Sequence, residues 1–91
     1  MISVSQGIDK LIETLKRAAA DESIDVQYVR TLRFETADTL VEKAALESWR
    51  RLVHFADDID IRSRDRSYGE QMKDEMRWRA KELIDLLARR R

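Results

Sequence analysis

Three stretches of the chain repeat their apolar residues with the period of an amphipathic helix. They cover about residues 5–20, 36–59 and 68–88, and in each the apolar residues recur at spacings of three and four. This spacing gathers side chains on one stripe of a helix. In the first stretch the stripe consists of Ile8, Leu11, Ile12, Leu15, Ala18 and Ala19. Helices bury such stripes against one another, so the sequence predicts an all-α fold, an antiparallel bundle of three to four helices, in a single domain spanning residues 1–91.

The second and third predicted helices carry apolar faces of different width. Along 36–59 the main stripe runs from Ala37 to Ile59, and Leu46, Trp49 and Val53 extend it to a second side. This is typical of a central helix that packs against more than one neighbour. The stripe of the third helix is narrower and consists of Tyr68, Met72, Met76, Ala80, Leu83, Ile84 and Leu87.

Residues 24–34 fit two patterns. Apolar residues at alternate positions from Ile24 to Phe34, many of them β-branched or aromatic, favour a strand. Ile24, Tyr28 and Leu32 also align every fourth residue behind a possible N-cap at Ser23, which favours a short helix. We prefer the helix because the chain offers this segment only one other, very short alternating stretch to pair with. The alternative is a small α+β domain with residues 24–34 as a strand.

Polar residues mark the boundary before the last helix. Residues 62–66 are charged and contain no apolar residue, so they are predicted to form a surface linker. Ser67 and Glu70 then match a capping box, which predicts that the helix begins there. The two glycines, Gly7 and Gly69, both fall near predicted helix starts, where we expect them to be tolerated.

The composition excludes several kinds of chemistry. The 91 residues include no cysteine, and the single histidine, His54, has no serine at helical spacing to activate. His54, Asp57 and Asp58 lie on adjacent turns, but no third or fourth ligand residue converges with them by spacing. We therefore expect a non-enzymatic protein with no catalytic residue, no metal and no cofactor. With no apolar run of the ~20 residues that cross a bilayer and no visible secretion signal, we expect it in the cytoplasm, away from membranes.

Charge is unevenly distributed although the net charge is zero. Residues 1–61 carry 8 basic against 12 acidic residues, and residues 62–91 carry 10 against 6. Arg62, Arg64 and Arg66 alternate in the predicted linker, where they are candidate phosphate contacts. A nucleic-acid-binding regulator that uses these arginines and the C-terminal helix is therefore an alternative function, although acidic residues interleaved with the arginines lower the local potential.

Trp78 is the most informative residue for predicting function. On a helical wheel it projects about 160° from the centre of its helix's apolar stripe, so the bundle would leave it in water. A tryptophan between Arg77 and Arg79 has the composition of an interface hot spot. Trp49 and Phe34 are candidates for the same partner-binding surface. The alternative is that residues 24–34 fold over Trp78 and bury it. The sequence thus predicts a helical protein-binding module, of adaptor, inhibitor, chaperone, immunity or antitoxin type, whose partner is another protein or its own copy in a homo-oligomer.

Overall fold

The computed structural model describes residues 4–20, 23–34 and 38–89, and the side chains of these from residue 7 onward. Helices account for most of this part of the chain, which contains no strand. They pack into a compact body with a radius of gyration of 13.1 Å and extents of 41 × 24 × 18 Å. In chain order the helices are α1 (Val4–Ala19), α2 (Val26–Thr31), α3 (Thr39–Asp57), α4 (Ile59–Arg64) and α5 (Arg66–Arg89). The all-α prediction is therefore confirmed.

The apolar stripe of α1 forms the largest single contribution to the core. Ile8, Leu11, Leu15 and Ala18 are essentially inaccessible to solvent, as their spacing predicts. They pack in one cluster with residues from α3 and α5, and α1 lies chiefly against α5. The remaining buried apolar members of this cluster are Ile12, Val29, Leu32, Val41, Ala45, Leu52, Phe55, Met76, Ala80 and Leu83.

The segment that fitted two patterns contains a helix, shorter than expected. Residues 23–34 include no strand, so the α+β alternative is wrong for this segment. The helix starts at Val26 instead of Ile24, because the side chain of Asp25, not that of Ser23, accepts the backbone N–H of Gln27 at 2.9 Å. One fully buried residue, Val29, fixes α2 to the core.

The first part of α3 follows the predicted stripe with one exception. The predicted start at Thr36 lies outside the described residues; α3 begins at Thr39, where the carboxylate of Asp38 accepts the N–H groups of Leu40 and Val41. Val41 is buried, whereas Leu40 is exposed, contrary to the prediction. An Asp N-cap thus sets the helix so that only one of the two adjacent apolar residues faces inward.

The predicted helix over 36–59 is interrupted at Asp58, between α3 and α4. Beyond the break, the carbonyl oxygen of Phe55 accepts two hydrogen bonds from the Arg62 guanidinium, from Nε at 3.0 Å and from Nη2 at 2.7 Å. The guanidinium carbon also lies 3.6 Å from the centre of the Phe55 ring. The phenol of Tyr68 donates to the Asp58 carboxylate at 2.7 Å. These side-chain bonds from α4 and α5 stabilise the end of α3, and Ile59 is left exposed instead of buried.

The charged residues 62–66 do not form the expected linker. Residues up to Arg64 belong to α4, α5 starts at Arg66, and the single residue Asp65 separates the two helices. The Asp65 carboxylate accepts the backbone N–H of Tyr68 at 3.0 Å, so the predicted capping box at Ser67 is wrong. Arginine is a good helix former, and an aspartate at the corner suffices to end one helix and cap the next. The proposed partner of Ser67 in that box, Glu70, instead forms an ion pair with Lys73.

Candidate protein-binding surface on the last helix

Trp78 stands on the outer side of α5, opposite the buried residues Met76, Ala80 and Leu83. Its exposed fraction is 56%, as expected from its position on the helical wheel. The segment 24–34 packs against α3 and the core, so it does not bury the indole. Trp78 lines a shallow groove of about 370 Å³ whose walls all belong to α5. The other lining residues are Lys81, Glu82, Asp85, Leu86 and Arg89.

The two arginines beside Trp78 differ in their surroundings. The side chain of Arg77 is exposed, and its guanidinium pairs with Asp74 at 2.7 Å one turn away. The side chain of Arg79 is only 12% exposed, and it lies between Glu75 at 3.3 Å and Glu47 of α3 at 3.9 Å. The Arg79 guanidinium also lies 5.2 Å from the centre of the Trp78 ring. Arg79 therefore links α5 to α3 and supports the indole, whereas Arg77 faces solvent beside it.

Trp49 and Phe34 are placed elsewhere in the molecule. The indole N–H of Trp49 donates to the carbonyl oxygen of Val29 at 2.8 Å, which fastens α2 to α3. Trp49 and Phe34 are half-buried and pack against the core. Phe34 and the preceding carbonyl of Arg33 lie directly on the backbone of Gly7 in α1. The structure thus uses both aromatic residues for packing and does not bring them to the outer face of α5.

A second groove, of about 400 Å³, lies between α1 and α5 on one side of Trp78. Its floor is apolar and includes Ile84, which is partly exposed here although its spacing predicts burial. Ile84 sits at the edge of the apolar stripe, where α1 covers it incompletely. Lys81 lines this groove as well as the groove around Trp78, so the two are neighbours on the surface. The complete lining is Lys16, Ala19, Ala20, Arg77, Ala80, Lys81 and Ile84.

The three arginines predicted to contact phosphate do not act as one set. The guanidinium of Arg62 is bound to Phe55, as described above. Arg64 and Arg66 are exposed. Arg66 lines a third groove of about 640 Å³, at the junction of α4, α5 and residues 23–24, in which Lys73 is paired with Glu70. This groove mixes basic, acidic and hydroxyl groups.

The residues considered for metal binding have other contacts. Asp57 pairs with Arg30 of α2 at 3.4 Å, and Asp58 accepts the Tyr68 phenol. That hydrogen bond, together with burial and the negative charge of Asp58, raises the pKa of Tyr68 above its ordinary value. Over the ranges that the structure covers, no three potential ligand side chains converge. Nor does any helix in these ranges combine the length and apolarity needed to cross a membrane.

Comparison with known proteins identifies no relative of this chain. No protein-family model matches the chain, and neither the curated proteins nor the solved structures contain a significant match. The assignment of function therefore rests on the surface geometry alone, with the outer face of α5 around Trp78 as the leading candidate site.

Proposed function

We propose that this chain is a non-enzymatic protein-binding module that uses the outer face of α5. The observation that carries the proposal is the exposure of Trp78, one of the two tryptophans, on a helix whose opposite face packs in the core. A tryptophan side chain buries about 150 to 250 Å² when it is covered. Covering the exposed half of Trp78 would remove on the order of 100 Å² from water and contribute about 2 to 3 kcal/mol to binding.

The neighbours of Trp78 suit a protein partner. Arg79 is held by two glutamates, so the indole rests on a side chain that is already ordered and costs little entropy to fix on binding. Around it, Arg77, Lys81, Glu82 and Asp85 supply charges of both signs, as in the polar rim of an interface. An aromatic anchor with a mixed-charge rim is the composition expected of a specific protein interface.

The alternative function is a nucleic-acid-binding regulator that contacts phosphates through its arginines. Arg64 and Arg66 are exposed and support it, whereas Arg62 is committed to the end of α3. Two exposed arginines among interleaved acids support nucleic-acid binding less strongly than an exposed tryptophan with a supporting arginine supports protein binding. The two functions differ in the macromolecule that should lie against residue 78.

We also propose that the helices form an antiparallel bundle. Supporting this, Glu47 and Arg51 of α3 meet Arg79 and Glu75 of α5 in reverse order along the chain. Such an arrangement would leave the outer face of α5 along one side of the molecule.

The test is photo-crosslinking from position 78. A photoreactive phenylalanine analogue replaces Trp78 in the full chain, expressed in the cell from which the protein comes, and adducts are identified by mass spectrometry. The same analogue at Gln27, which is exposed on α2 and therefore away from α5, is the control. We expect a discrete protein adduct from position 78 that is weaker or absent from position 27. Nucleic-acid adducts, or no adduct at all, would overturn the proposal.

A further inference from the structure

The groove between α1 and α5 carries charge of one sign. Its lining includes three cations, Lys16, Arg77 and Lys81, and no carboxylate of a described residue. Arg77 pairs with Asp74, whereas neither Lys16 nor Lys81 forms an ion pair within the described ranges. We name this surface the basic groove. Cations gathered around a concave surface raise the local potential, which favours an anionic occupant.

The floor of the basic groove is apolar. It consists of Ala19, Ala20 and Ala80 together with Ile84, whose exposed fraction is 40%. Alanine side chains are short, so a side chain of another molecule can approach both helices closely. A free inorganic anion would leave this floor in water. An occupant with an apolar side chain next to its carboxylate would contact both the floor and the cations.

The two other grooves along α5 carry charges of both signs. Glu82 and Asp85 line the groove around Trp78, and Glu70 pairs with Lys73 in the groove beside α4. Of these three grooves, the basic groove is therefore the one that selects its occupant by the sign of its charge.

The basic groove adjoins the indole of Trp78. At spacings of four and three, Arg77, Lys81 and Ile84 lie on one stripe of α5, next to the stripe of Trp78. Lys81 lines both grooves. Ile84 follows Trp78 by six residues, which is about 9 Å along the helix axis. One segment of a partner can therefore cover the indole and also reach the basic groove.

We propose that the protein partner of Trp78 inserts an acidic segment into the basic groove. An aspartate or glutamate of this segment lies near Lys16 and Lys81, and a neighbouring apolar side chain covers Ile84. The inference rests on the proposed function and adds to it the chemistry of the partner.

The first test is photo-crosslinking from position 84, with the photoreactive phenylalanine analogue in place of Ile84 in the full chain. We expect the protein that also attaches to position 78, with its attachment site mapped by mass spectrometry to a segment that contains aspartate or glutamate. Attachment through a segment without either residue, or an adduct from position 78 and none from position 84, would overturn the inference and leave the proposed function standing. No adduct from either position would overturn both.

The second test measures the affinity of Lys16 variants for the purified protein that crosslinks. Lys16 belongs to α1 and does not line the groove around Trp78, so its effect reports on the basic groove and not on the indole. Lys16→Glu should lower the affinity about tenfold, because repulsion replaces attraction, and the loss should shrink at high salt. Lys10→Glu, exposed on α1 outside the groove, makes the same change of net charge and should lower the affinity less than about twofold.

A charge exchange completes the test. Lys16 lies in the last turn of α1, where a glutamate also opposes the helix dipole, so Lys16→Gln is measured as a milder variant and should show a smaller loss of the same kind. Lysine in place of the crosslinked acidic residue of the partner should weaken binding to the wild type and restore binding to Lys16→Glu. Equal affinities of the Lys16 and Lys10 variants, or no restoration by the exchange, would overturn the inference while the contact at Trp78 stands.

Discussion

Replacing Gly7 by alanine tests the packing of residues 33–34, which follow α2, on α1. A Cβ atom at Gly7 would lie 2.0 Å from the carbonyl oxygen of Arg33 and 2.7 Å from the Cα of Phe34. Real Cβ atoms do not approach other heavy atoms within 3.0 Å, so residues 33–34 must move by at least about 1 Å. The obstacle is backbone, which cannot turn aside as a flexible side chain does.

The loss of stability in Gly7→Ala can be estimated for two responses of the structure, overpacking and detachment of residues 33–34. Overpacking of this kind typically costs about 1 to 3 kcal/mol. If residues 33–34 detach instead, the half-buried Phe34 loses its contacts, which costs about 1 to 2 kcal/mol. Alanine regains up to about 1 kcal/mol of helix propensity over glycine, and less in a first turn. We expect Gly7→Ala to lower the free energy of unfolding by about 1 to 2 kcal/mol, which for a domain of this size lowers Tm by roughly 4 to 16 °C.

The second glycine provides the matched control. A Cβ at Gly69 would lie 3.4 Å from the carbonyl oxygen of Arg62, an ordinary van der Waals contact. Gly69→Ala should therefore leave stability unchanged or raise it by up to about 1 kcal/mol. Urea unfolding followed by circular dichroism measures both variants. A Gly7→Ala protein as stable as Gly69→Ala would show that residues 33–34 do not lie on α1 as described.

Three further predictions concern the side-chain bonds around α3. Arg62→Met should lower the free energy of unfolding, measured in urea, by about 1.5 to 3 kcal/mol, because it removes a charged donor of two hydrogen bonds. The control is Arg64→Met, exposed on the same helix, which should change this free energy by less than about 0.5 kcal/mol. The pKa of Tyr68 is raised in the folded protein, so its hydrogen bond to Asp58 contributes its full stabilisation below the ordinary tyrosine pKa of about 10. This stabilisation is lost as the pH rises through the higher pKa of the folded state. Absorbance titration of phenolate should thus show a late component that Tyr68→Phe lacks; its persistence in that variant would contradict the assignment. Trp49→Phe should cost about 0.5 to 1.5 kcal/mol, since it removes the indole hydrogen bond to the Val29 carbonyl, which keeps the N–H of Leu32 as a donor. It should also shift the remaining tryptophan emission to longer wavelength; unchanged emission would mean that the indole of Trp78 is not exposed as described.

The long helices could be predicted because their patterns reflect burial on one side. The stripe of α1 is regular over about three turns, and the structure buries it as expected. The exposure of Trp78 follows from the same reasoning, because a residue opposite a buried stripe has no neighbour within a bundle. Helix periodicity thus located both the core and the leading candidate surface.

The boundaries could not be predicted because aspartates and long-range contacts decide them. Asp25 and Asp65 cap helices for which the sequence pattern favoured Ser23 and Ser67, and Asp38 caps α3. The break at Asp58 is stabilised by Arg62 from the next helix, and no local pattern marks that contact. Gly7 looked like an ordinary residue of a first turn, since only the tertiary fold shows which backbone lies upon it.

The residues of the predicted site also depend on tertiary contacts that the sequence pattern does not show. Arginine, tryptophan and phenylalanine serve equally well in an interface and in packing, and the sequence does not distinguish the two uses. Trp49, Phe34 and Arg79 are mainly packing residues here, whereas Arg77 remains beside Trp78 at the surface. Side chains that look alike in the sequence are thus separated by what neighbouring helices place against them.

The most direct test of the protein-binding function is retention of the protein that crosslinks to position 78, compared between two variants. Trp78→Ala removes the exposed anchor, and the double substitution Arg64→Ala with Arg66→Ala removes the exposed candidate phosphate contacts. The account predicts that Trp78→Ala loses the partner at low and at high salt, while the double arginine variant retains it. Retention of that protein by Trp78→Ala, together with its loss in the arginine variant, would contradict the account.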